Sequence, residues 1–86
     1  MNSNNIKAFI EVGAEFSILG VRKIIEESKN TKIDMELLLE TQKAMFELID
    51  ILMQADADEK LVYKIFDLIE ELHQIVMKEL INIKER

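Results

Sequence analysis

An 86-residue chain with no cysteine, no proline and only two glycines has room for one domain and no covalent staple to reinforce it. The lack of thiols excludes a disulfide framework and thiolate zinc ligation, and it suits a reducing, cytoplasmic setting. A formal charge of −6, from 17 acidic against 11 basic residues, argues against direct nucleic-acid binding, which rests on clustered lysine and arginine.

Residues Met1–Asn5 carry no positive cluster, and the apolar residues that follow are interrupted by Lys7, Glu11 and Glu15, so neither a signal peptide nor a membrane span is expected. The remaining composition is 49% hydrophobic and 33% charged, a combination met by amphipathic helices with wide apolar faces. The expected fold is all-α: three helices at about 5–28, 35–54 and 57–84, the second and third forming an antiparallel hairpin with the first packed across it. The chain reads as a single helical domain over residues 1–86, with 1–5 frayed. Its Asn, Lys, Ile and Glu usage suits an A·T-rich bacterial or phage genome.

In the first helix, Ile6, Phe9, Ile10, Phe16, Val21 and Ile24 are expected to face inward, with Lys7, Glu11, Glu15, Arg22 and Glu26 in water. Gly13, Ser17 and Gly20 fall at the centre of that expected inner side. A glycine inside a helix costs roughly 0.5–1 kcal/mol relative to alanine, so two of them call for a reason. Close helix–helix approach is the first reading, a break at Gly20 the second, and a ligand groove at Gly13, Ser17 and Gly20 the third.

Ser28–Lys32 is the first polar connection, with Asn30 placed to end helix one in the left-handed conformation. Asp34 should cap helix two, flanked by a hydrophobic staple of Ile33 and Leu38. Helix two should bury Leu38, Met45, Leu48, Ile49 and Leu52, with Met35, Leu37, Phe46 and Met53 beside that stripe, and expose Glu36, Glu40, Lys43, Glu47, Asp50 and Gln54. Thr41 and Gln42 intrude on its apolar side, as a hydroxyl bonded back to the helix and a flanking amide. The second connection carries Asp56 and Glu59 at capping-box spacing.

The third helix presents Val62, Ile65, Phe66, Ile69, Leu72, Val76, Leu80 and Ile83 on one stripe at about 100° per residue. At 1.5 Å per residue it would be roughly 40 Å long, longer than the partner it folds back on. Ile18, Ile25, Leu39, Ile51, Leu68, Ile75 and Ile81 fall outside any narrow stripe, which implies a second buried surface. A homodimer follows, with Leu68, Leu72, His73, Ile75, Val76, Leu80 and Ile83 as its expected interface.

Chemistry is sparse. Glu70 and His73 have the Glu-x-x-His spacing of ferritin-like carboxylate sites, but no facing carboxylates are expected to join them, so no metal is assigned. No catalytic residue and no cofactor is assigned either: Ser17 and Thr41 are the only candidate buried hydroxyls, and the pairs Glu26–Glu27 and Glu70–Glu71 diverge by about 100° on a helix. The expected role is that of a non-enzymatic binding protein, a regulator, inhibitor or adaptor with a protein partner. A small-molecule binder for a nucleotide or metabolite, using the glycine groove or the oligomer interface, is the alternative. A weaker one is an acidic mimic of nucleic acid built from Glu36, Glu40, Glu47, Asp50, Asp56, Asp58, Glu59, Asp67, Glu70 and Glu71. Lys43, Lys60, Lys64 and Lys78 interleave with these acids and are expected to pair with many of them.

Overall fold

A computed structural model describes residues 3–85, which form three helices: α1 Ser3–Ser28, α2 Met35–Gln54 and α3 Glu59–Glu85. Ser3–Asn5, expected to fray, belong to α1; Met1 and Asn2, the rest of that expectation, lie outside the described residues. The α2–α3 hairpin is the most extensive packing, and α1 rests more on α3 than on α2. Glu11 meets Asp58 and Glu15 meets Lys64, so α1 and α3 run in the same direction and the bundle is up-down-up.

The bundle measures 55 × 19 × 19 Å, and its radius of gyration is 14.8 Å. A compact chain of this length would have a radius of about 12 Å, so the molecule is drawn out along the helices. The cause is stagger. Glu11 lies level with the α2–α3 turn, so Ser3–Ile10 project about 12 Å beyond it at 1.5 Å per residue. At the other end Ile25 and Lys29 lie beside Gln74, Ile75 and Lys78, so the last turns of α3 run past the α1–α2 connection.

The core is assembled from Ala14, Ile18, Val21 and Ile25 of α1, with Leu38, Met45, Ile49 and Leu52 of α2. From α3 come Leu61, Ile65, Leu68, Ile69, Leu72 and Val76. On α2 the inner stripe falls where charge periodicity places it, with Leu48 half-buried and Thr41 buried on the apolar side, but Leu37, Phe46 and Met53, expected beside that stripe, are exposed. Thr41 is accommodated because its Oγ donates to the Leu37 carbonyl at 2.7 Å, as expected of a hydroxyl on an apolar helical face. On α3 the stripe is displaced toward Leu61 and Leu68, so that Val62 is half-buried and Phe66, expected inside, is exposed. Leu80 and Ile83 stay exposed because they lie on the overhang, where no neighbour reaches.

The largest correction concerns α1. Ile6, Phe9 and Phe16, expected inside, are exposed, and Ile18 and Ile25, expected outside the stripe, are core. The helix is rotated by roughly a quarter turn relative to the expectation. This orientation puts Ala14, wholly buried, against the hairpin, where its small side chain permits close approach. It also aims Glu11 and Glu15 at the start of α3. One Glu11 carboxylate oxygen accepts the Asp58 backbone N–H at 2.8 Å, and Glu15 pairs with Lys64 at 3.6 Å. A carboxylate at a helix N-terminus satisfies an otherwise unpaired donor and opposes the positive end of the macrodipole.

The connections also differ in detail from expectation. Asn30 does not take the left-handed conformation; among the described residues the one non-glycine residue with positive φ is Asp56, at 54°. The end of α1 is closed by the Asn30 and Thr31 N–H groups, which donate to the Glu27 carbonyl at 3.0 and 3.1 Å, and by side chains: Ser28 Oγ donates to the Ile25 carbonyl at 2.6 Å and Thr31 Oγ1 to that of Glu27 at 2.9 Å. Asp34 caps α2 as expected, accepting the Leu37 N–H at 3.1 Å.

Asp56 does not cap α3. It terminates α2: its N–H donates to the Met53 carbonyl at 3.2 Å, while the Ala57 N–H donates to that of Leu52 at 3.0 Å. That pair of bonds is a Schellman motif with aspartate where glycine is usual. The N-cap is thereby displaced by two residues to Asp58, which accepts the Lys60 N–H at 3.0 Å. With Leu61 three positions on no capping box closes there, and Glu11 takes the Asp58 N–H instead. Left-handed backbone is strained for a residue with a Cβ, so Asp56→Gly is expected to stabilise the fold by about 0.5–1 kcal/mol. A rise of about 2–8 °C in the thermal midpoint is the readout.

Candidate interaction surface

Along α1 the residues that face away from the core are as apolar as those that face it. Phe9 is 75% exposed, Phe16 70%, Leu19 62% and Val12 56%, with Ile6 half-exposed nearer the N-terminus. Gly13 and Gly20 lie on this same outer face, and a Cβ built on either would meet nothing within 4 Å. Close packing among the described residues therefore does not explain the glycines, and no neighbouring element among them supplies a second wall for a groove at Gly13, Ser17 and Gly20. The helix is unbroken through Gly20.

These outward residues repeat every seven positions: Phe9 and Phe16, Val12 and Leu19, Gly13 and Gly20. A seven-residue repeat keeps one seam on one side of a helix over two turns per repeat, the pattern by which helices pack lengthwise on other helices. No charged residue between Ile6 and Gly20 falls on the seam. Lys7 is half-buried toward the bundle, and Glu11 and Glu15 point at α3.

A second apolar face belongs to the hairpin. Leu39, Phe46 and Met53, again seven apart, are exposed on α2. They lie roughly opposite, around the helix, to Leu37, which borders α1 near Ile24. Met53 continues into an open cleft of about 330 Å³ at the α2–α3 turn, shared with Val62, Tyr63 and Phe66 and edged by Asp56 and Glu59. Both faces stand on rigid helices, so their side chains are presented without the ordering cost that a flexible loop would bear on binding.

The residues expected to form an α3 interface divide into two groups. Leu68, Leu72 and Val76 are buried and Ile75 is half-buried against the rest of the bundle. They are committed to this chain's own core, because α3 runs between α1 and α2 with its middle covered by both. His73, Leu80 and Ile83 remain exposed.

Among the described residues no three His, Asp or Glu side chains converge where a metal ion could be held, and Glu70 and His73 are both exposed. The two hydroxyls considered for chemistry are far from sharing a site. Ser17 is exposed on α1, and that of Thr41 is engaged by the Leu37 carbonyl. The acidic side chains of α2 and α3 are exposed apart from half-buried Glu79, and Lys64 with Glu15 is the ion pair found among the described residues. The expected pairing of Lys43, Lys60 and Lys78 with acids one turn away is absent, since on a solvated surface such pairs gain little against side-chain entropy. No helix among the described residues is long and apolar enough to cross a membrane.

Phe9, Phe16 and Leu19 are legible as apolar in the sequence but are not singled out there as surface residues, since size alone suggests burial. The signal that identifies them is the shared seven-residue spacing with Gly13 and Gly20. Comparison with protein-family models, with curated proteins and with solved structures finds no match to this chain.

Proposed function

We propose that this protein is a small, non-enzymatic helical binding protein, a regulator, inhibitor or adaptor that acts through protein–protein contacts. The observation that carries the reading is that large apolar side chains stand out on two separate faces of a bundle whose core is already filled. A monomer of this size rarely exposes contiguous apolar patches beyond a few hundred Å², and larger ones mark contact surfaces. The hairpin face, with Phe46 and Met53 leading into the cleft beside Phe66, is the surface for the protein partner. Aromatic and methionine side chains are the types enriched where proteins meet.

The test is affinity capture from the source cell with the full chain and with a Phe46→Glu, Phe66→Glu double variant. Both positions are exposed, so the variant keeps its fold, checked by an unchanged thermal midpoint. A protein retained in stoichiometric amount by the parent and lost from the variant is the expected result. Equal retention by both, or none by either, contradicts the reading.

A further inference from the structure

We infer that the outer face of α1 is covered by α1 of a second copy of this chain, packed antiparallel about a two-fold axis. The inference rests on reading the exposed apolar faces as contact surfaces, and it adds which occupant this one takes.

The first argument is shape. On the heptad seam of α1, Phe9 and Phe16 occupy one inward position of the repeat and Gly13 and Gly20 the other. In a parallel pair like meets like, so layers of two phenylalanines would alternate with layers of two glycines and leave voids. In an antiparallel pair each layer combines the two kinds of position. When residue i faces residue 29 − i, Phe9 meets Gly20 of the partner subunit and Phe16 meets Gly13 of the partner subunit. Every ring then enters the space a missing side chain leaves, and the axes can approach at the short end of the usual ~8–10 Å range. The same surface serves both copies, as a two-fold interface requires.

Charge and area point the same way. Two chains of charge −6 repel, and the exposed faces of α2 and α3 carry Glu36, Glu40, Glu47, Asp67 and Glu70. The α1 seam carries no charged residue between Ile6 and Gly20, so like-charged copies can meet along it. Its five large apolar side chains expose roughly 600 Å² per copy, approaching the ~800 Å² per partner of a standard interface. The stagger contributes as well: the projecting first turns of α1, with Ile6 and Phe9, would lie along the second half of the partner's α1 instead of standing in water.

Sedimentation equilibrium of the full chain tests this, with Phe16→Glu and Gly13→Leu beside it. Both positions are open in the single chain, so both variants should keep the helical circular-dichroism spectrum and melt cooperatively. The parent should sediment at the mass of two chains and each variant at the mass of one. Because the chain lacks cysteine, a spin label on Lys23→Cys reports orientation. Its two copies should lie about 26 Å apart along the axis, against about 10 Å for a parallel pair.

A parent that sediments as one chain, a dimer that survives both substitutions, or a short label distance would overturn the inference. A monomeric parent that still holds a protein through its hairpin face would overturn it while leaving the binding reading intact. A dimer dissociated by Phe16→Glu with no captured partner would support it and count against that reading.

Discussion

Leu72→Ala is expected to cost about 3–4 kcal/mol and to lower the thermal midpoint by roughly 12–30 °C. Leu72 is shut off from solvent in the middle of α3, the helix that both others pack against. Truncation removes three carbons of burial and leaves a cavity that the surroundings can only partly fill. A chain of this length has about 4–13 kcal/mol of total stability, so a loss of this size brings the fold to its margin. Urea unfolding followed by circular dichroism measures it. A loss below about 1 kcal/mol would mean that α3 is not the central helix.

Ala14→Leu should act in the opposite sense of volume and in the same direction of stability. Ala14 is wholly buried where α1 comes down on the hairpin. A leucine there adds three carbons to a space that already holds Ile18 and Val21 on the same helical face, and overpacking of this kind costs about 1–3 kcal/mol. The cost falls on α1 docking, which has fewer supports than the hairpin: the apolar stripe, the Glu11 bond to the Asp58 N–H and the exposed Glu15–Lys64 pair. Loss of α1 docking with the hairpin retained would appear as a broadened, less cooperative transition.

How far the sequence discloses this structure differs helix by helix, for a physical reason in each case. The inner stripe of α2 is readable because Glu36, Glu40, Lys43, Glu47 and Asp50 mark the opposite side; its apolar flanks are not, and Leu37, Phe46 and Met53 stand exposed there. Helix α1 is apolar nearly all round, so periodicity offers two inner faces, and the larger side chains of Phe9 and Phe16 suggest the wrong one. What decides is the fit to the neighbouring helices: Ala14 allows close approach, and Glu11 and Glu15 have partners on α3 in this orientation. The stripe of α3 holds at Ile65, Ile69, Leu72 and Val76 and fails at Phe66, which is exposed while Leu61 and Leu68 are core. It fails again at Leu80 and Ile83, since a wheel shows direction but not where the covering helices stop. Asp56 was disguised by its chemistry, because aspartate is a common N-cap and an uncommon left-handed terminator.

The functional surface is partly legible for the same reason. Gly13 and Gly20 stand out in the sequence as costly, and the structure shows that nothing inside the chain accounts for them. Their place on a seam with Phe9 and Phe16 gives them a role only when a second helix is present.

Which face of α1 is inside fixes both the core and the exposed seam, and the adjacent positions 13 and 14 decide it. Urea midpoints of Gly13→Leu and Ala14→Leu should be compared at a dilution at which sedimentation shows single chains. With the observed orientation Gly13→Leu should raise stability by about 0.5–1 kcal/mol, because it replaces a glycine in an exposed helix interior. Ala14→Leu should lower it by about 1–3 kcal/mol. The reverse order, with Gly13→Leu destabilising and Ala14→Leu tolerated, would contradict the structure of α1 and with it the surface proposed for binding.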